Sequence, residues 1–132
     1  EVAALLGAKP EQVIFTSGGT EANNLAILGG AEALCRRPHV AVTTAIEHPS
    51  VAACCDELEK QGWQVTRLQP SADGTVSVQQ VAEACTADTT LVSIMAVNNE
   101  TGALYDVKRA FALARTRSPG VITHTFDTDG QK

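Results

Sequence analysis

Four stretches of this sequence carry polar side chains in groupings that could do chemistry. Ser17-Gly18-Gly19-Thr20 follows the apolar run Val13-Ile14-Phe15 and leads into a helical pattern. Paired glycines allow a tight bend and close backbone approach to a ligand, and Thr20 suits the N-cap of a helix starting near Glu21. Free N–H groups and the positive end of a helix dipole meet at such a turn, which makes it a ready anion site. The same spacing also suits a bare strand-to-helix connection, and spacing alone does not separate the two. Glu47-His48 brings an imidazole that titrates near neutrality; a loop or helix-capping histidine is its plainer role. Asn98-Asn99-Glu100-Thr101-Gly102 and Asp127-Thr128-Asp129 add donors and carboxylates, with turn asparagine and loop or cap aspartate as the plainer roles.

The elements that must position these groups alternate strand and helix. Strands are expected at Val13 to Thr16, Val40 to Thr44, Gln64 to Leu68, Leu91 to Val97 and Val121 to Phe126. The fourth is nearly unbroken in apolar residues, as in a strand covered on both faces. Helices are expected at Glu21 to Cys35, Pro49 to Gln61, Val78 to Cys85 and Val107 to Arg117. Pro49 suits a first helical turn, and Ser77 with Gln80 forms a capping box. Gly29-Gly30 weakens the first of these helices, so a kink or early end is expected there. Repeated strand, helix, strand implies an α/β fold with a mainly parallel sheet. Ligands of such sheets sit beyond the carboxyl ends of the strands, and four of the five expected strands end in the polar groups named above.

Bulk properties narrow the function classes. The 132 residues are 44% hydrophobic and 19% charged, which suits one soluble globular core, and aromatics of only 4% leave that core to Val, Ile, Leu and Ala. A net charge of −5 with no basic cluster beyond Arg36-Arg37 argues against a nucleic-acid partner. No apolar run approaches a membrane span and no signal peptide opens the chain, so the expected location is the cytoplasm or an organelle matrix. Cys54, Cys55 and Cys85 fall on helical apolar stripes and read as packing residues, Cys35 stays open, and no Cys/His set has the spacing of a metal site. Glu1 to Leu6 reads as the last turns of a helix, Lys132 follows a strand end without a covering helix, and no Met comes first. A piece of a longer protein, truncated at both ends, is therefore expected.

With those strand ends assembled, the chain resembles the NifS-like family of cysteine desulfurases and selenocysteine lyases, fold-type I enzymes that use pyridoxal 5′-phosphate (PLP). The resemblance rests on FTSGGTEANNLAI (Phe15 to Ile27), EHPSV (Glu47 to Val51) and VSIMAVNNETG (Val92 to Gly102), with a looser match at THTFDTDGQ (Thr123 to Gln131). It implies residues 1–132 as part of the large PLP-binding domain. Gly19 and Thr20 would hold the phosphate, His48 would stack on the pyridine ring and move protons, and Asn99 would meet the ring hydroxyl. Asp129 would pair with the pyridinium nitrogen. The family pattern there is His-Thr-Asp-x-x-Gln. If Asp129 is the ring partner, which Thr128-Asp129-Gly130 favours by keeping the local pattern, Asp127 stands at the His position, Gln131 comes one residue early and Lys132 takes the Gln position; alternatively Asp127 is the partner and the loop carries an insertion. The Schiff-base lysine and the nucleophilic cysteine match nothing in these residues.

The resemblance further implies removal of sulfur or selenium from L-cysteine or L-selenocysteine to give L-alanine, an acceptor protein for the released atom, and a homodimeric parent. A selenocysteine-specific lyase, another PLP lyase or aminotransferase of the same branch, and a non-catalytic α/β fragment are the alternatives. A nucleotide-binding module would need a Walker lysine or a third glycine at set spacing, and the sequence has neither.

Overall fold

Helices and strands alternate through residues 2–95 and 106–126, the part of the chain that the computed structural model describes. In chain order these are α1 (Val2–Leu5), a 3-10 turn (Pro10–Gln12), α2 (Gly19–Ala33), β1 (Val40–Thr44), α3 (Pro49–Lys60) and β2 (Gln64–Leu68). Then come α4 (Val78–Ala84), β3 (Leu91–Ser93), α5 (Val107–Arg117) and β4 (Ile122–His124). The strands form a parallel sheet in the order β2-β1-β3-β4. The chain steps outward from β1 to β2, then crosses back over β1 to β3. That reversal puts a topological switch point between β1 and β3, the place beyond the carboxyl ends where ligands of such sheets bind.

Crossovers of one hand that run in opposite directions must cover opposite faces of a sheet. The packing agrees. One face buries Ala41 and Leu91 under Ile27 and Ala31 of α2 and Val51, Cys54 and Leu58 of α3. The other buries Val42 and Val92 under Val81 and Cys85 of the α4 region and Ala110, Phe111 and Ala114 of α5. Neighbours in sequence thus point to opposite layers, as the period of two requires.

Local sequence explains most boundaries. Pro49 sits in the first turn of α3, where its missing N–H costs nothing. The Ser77 side chain accepts from Gln80 N–H, and the Gln80 side chain accepts from Ser77 N–H, a reciprocal cap for α4. Ser77→Ala is expected to lower stability by about 1 kcal/mol in a thermal melt. α2 runs through Gly29 and Gly30 without ending. A Cβ built on Gly30 would come within 2.9 Å of Ile122 Cδ1, so the glycine lets α2 lie close against β4. Cys54, Cys55 and Cys85 are buried and Cys35 is exposed. Burial pushes the Cys55 thiol up to about 11 and raises those of Cys54 and Cys85, which keeps all three protonated and apolar at neutral pH.

Further expectations need correction. Val13 to Thr16 forms no strand: no described strand lies beside it to share a ladder, and Ile14 and Phe15 stay 69% and 79% exposed. Thr20 is not the N-cap of α2. Gly18 takes that position and the helix starts at Gly19, which places Thr20 inside the first turn. Ile94 and Met95 continue no strand beyond Ser93, Ala96 and Val97 lie outside the described residues, and the last strand is shorter than expected, at Ile122–His124.

Candidate active site

The first turn of α2 has no capping side chain. Its leading N–H groups lack the acceptor that an Asp or Ser N-cap would supply, so the turn that carries Gly19 and Thr20 suits a phosphate. Ser17 donates to the Glu21 carboxylate at 2.5 Å, which draws that side chain back along the preceding loop. His48 caps α3: its Nδ1 accepts the Ser50 N–H at 3.1 Å and lies 2.8 Å from Ser50 Oγ. Its ring also meets Phe126 edge-on, with centroids 5.2 Å apart. Nε2 of His48 meets no hydrogen-bond partner among the described residues.

These two features are joined from within the core. Asn23 lies one helical turn beyond Gly19 and Thr20, and its Nδ2 donates to Ser50 Oγ at 2.8 Å. Its Oδ1 is 3.0 Å from His124 Nε2, whose Nδ1 is 2.8 Å from Ser93 Oγ. Asn23 and Ser93 are each only 1% exposed. Burial pushes the His124 pKa down to about 4, so its ring is neutral at neutral pH.

Glu47 spans the switch point. Its Oε2 accepts from Thr44 Oγ1 at 2.6 Å, at the end of β1, and from Met95 N–H at 3.1 Å, just past β3. Oε1 is buried with no partner among the described residues. Desolvation outweighs the two hydrogen bonds and pushes the carboxyl pKa up to about 7. Glu47 thereby ties the His48 turn to the segment that carries Asn99 four residues later. Asn99, Asp127, Asp129 and Gln131 themselves lie outside the described residues, as does Lys132.

Of the described residues, the sequence singles out Gly19, Thr20 and His48, while nothing in it marks Ser50, Ser93 or His124. A signal for Asn23 was there: with Ile27 and Ala31 it forms the buried i, i+4, i+8 stripe of α2, where a polar residue calls for a partner. Among the described residues no group of three or more His, Cys, Asp or Glu side chains could hold a metal ion. No described helix is long and apolar enough to cross a membrane.

Comparison with known proteins follows the same lines. The model of the class-V aminotransferase family matches residues 1–127. The chain belongs to that family. The chain is similar to the cysteine desulfurase IscS of Serratia proteamaculans (strain 568), 41% identical over 128 residues, which are 97% of this chain and 31% of that protein. A solved NifS-like protein superposes with a TM-score of 0.86 at 33% identity, over 94% of this chain and 34% of its own. SspA, solved in complex with cysteine, gives a TM-score of 0.84 at 39% identity, over 94% and 35%. The α/β layers and parallel sheet are those of these solved neighbours. The chain spans about a third of the length of the curated relatives it matches.

Proposed function

We propose that the full-length protein removes sulfur from L-cysteine, yielding L-alanine, with PLP as cofactor and a second protein as sulfur acceptor. One observation carries this reading. An uncapped helix start and a histidine, tied together through Asn23 and Ser50, stand at the carboxyl-end side of a class-V parallel sheet. The donor set fits the cofactor: backbone N–H groups and the Thr20 hydroxyl suit a phosphate dianion, and an imidazole suits the face of an aromatic ring.

When bound, PLP supplies an electron sink for negative charge at the substrate α-carbon. The residues of this chain do the rest of what is proposed here. Gly19 and Thr20 anchor the phosphate. His48 covers one ring face and exchanges a proton through Nε2, since Nδ1 already accepts the Ser50 N–H. Asn99 donates to the ring hydroxyl oxygen. Asp129 keeps the ring nitrogen protonated, with Asp127, one residue beyond Phe126, as the other candidate; Gln131 is the weakest assignment. The Schiff-base lysine and the nucleophilic cysteine are assigned to sequence other than these 132 residues, so turnover belongs to the full-length protein, which we take to be a homodimer. Selenocysteine is the second substrate to try, because none of these residues distinguishes selenium from sulfur.

The purified full-length protein should be yellow and release alanine from cysteine. His48→Ala should shift or weaken the absorbance of bound PLP, and Thr20→Val should lower the PLP retained after dialysis. Native spectra and native PLP content in both variants would remove these assignments. Alanine release by residues 1–132 alone would remove the assignment of lysine and cysteine elsewhere.

A further inference from the structure

The buried contacts around Asn23 have a direction as well as distances. Oδ1 of Asn23 can only accept, so His124 Nε2, 3.0 Å away, must carry a hydrogen. A neutral His124 then has an acceptor at Nδ1, and the Ser93 hydroxyl donates to it across 2.8 Å. The amide of Asn23 donates through Nδ2 to Ser50 Oγ. Having accepted that hydrogen, the Ser50 hydroxyl is placed to give its own to His48 Nδ1, 2.8 Å away. Ser50 N–H donates to the same ring nitrogen. Every step points from Ser93 toward His48, and a reversal at any one would leave two hydrogens or two lone pairs facing each other.

We propose that Ser93, His124, Asn23 and Ser50 form a one-way hydrogen-bond relay that delivers a second donor to His48 Nδ1 and so reinforces the Nε2–H tautomer that the Ser50 N–H favours. These four are positioning residues: they leave Nε2 as the ring atom through which His48 exchanges a proton. The bearing of the relay on catalysis rests on the role proposed above for His48, whereas its existence does not depend on bound cofactor. Cooperative polarisation along such a buried string strengthens each member.

The test is nitrogen NMR of the full-length protein labelled at histidine, with His48 and His124 assigned from His48→Asn and His124→Asn. At neutral pH both rings should show Nδ1 unprotonated and Nε2 protonated. Asn23→Asp turns residue 23 into an acceptor on both sides. Ser50 should then swing its hydroxyl toward Asp, leaving Ser50 N–H as the remaining donor to His48 Nδ1, and move the Nδ1 signal of His48 further from the protonated shift. Ser50→Thr, which keeps the hydroxyl, should retain the native His48 signals. A native His48 that carries its hydrogen on Nδ1 would overturn the relay, whether or not the variants fold. So would a folded Asn23→Asp protein with an unchanged His48 spectrum. Loss of PLP binding with the tautomers as predicted would count against the proposed function and leave the relay standing.

Discussion

Replacing Glu47 by Gln will make stability fall by about 3 kcal/mol as pH drops from 6.5 to 4, a slope the native protein largely lacks. The reason is two buried groups with opposite preferences. Glu47 is raised from 4.5 to about 7, chiefly by desolvation, so the native state holds a proton there that the unfolded chain has released. Its stabilising contribution is complete below pH 4.5 and is lost as pH rises through 7. His124 is lowered from 6.5 to about 4 by burial, so the unfolded chain takes up the proton first. Its contribution is complete above pH 6.5 and is lost as pH falls through 4. The windows overlap, and shifts of this size correspond to about 3 kcal/mol each. Glu47→Gln removes the compensating member and exposes the histidine slope. His124→Asn should show the reverse, with stability rising as pH falls from 7 to 4.5. Urea denaturation of each variant and the native protein across this range checks both. A variant-minus-native difference that stays constant with pH would contradict the pairing.

Ile27→Ala should cost about 2–5 kcal/mol, because this side chain is fully buried between α2 and the sheet. The cavity would open beneath the one helix that presents both the uncapped turn and Asn23. Ala31, the next residue of the stripe, is already small, so little around the gap can move in to fill it. The full-length variant should therefore lose PLP affinity along with melting temperature, although Ile27 lies two turns from Gly19. Ile27→Val keeps most of the volume and should lose about 0.5–1.5 kcal/mol with native PLP content. Equal PLP affinity in both variants would show that the seat of α2 does not govern the turn.

Much of this fold could be read from local pattern. β1, β2 and α5 fall on the expected bounds, and α5 does so on a clean apolar stripe of Ala110, Phe111 and Ala114. The reciprocal cap at Ser77 and Gln80 was legible for the same reason: its partners are three residues apart. What depends on distant partners was not legible. Val13 to Thr16 has the composition of a strand, yet a strand exists only beside a neighbour, and composition cannot name one. Thr20 has the chemistry of a cap, but the backbone turn put Gly18 there instead. In the candidate site, sequence singled out the groups whose chemistry stands out alone, such as His48. Ser50, Ser93 and Asn23 are ordinary residues whose meaning comes from what they touch. Ser93 and His124 meet across 31 residues, and Asn23 and His124 across 101.

That last separation bears on the order of assembly. α2 and α3 are near in sequence and can find each other early, so His48, Ser50 and Asn23 can be neighbours before much else has formed. The far end of their string arrives only when β4 joins the sheet, after the entropy of a very long loop has been overcome. A relay that includes His124, 101 residues from Asn23, cannot be complete in a half-folded molecule. The hold of the Ser50 hydroxyl on His48 therefore doubles as a report that the outermost described strand has docked.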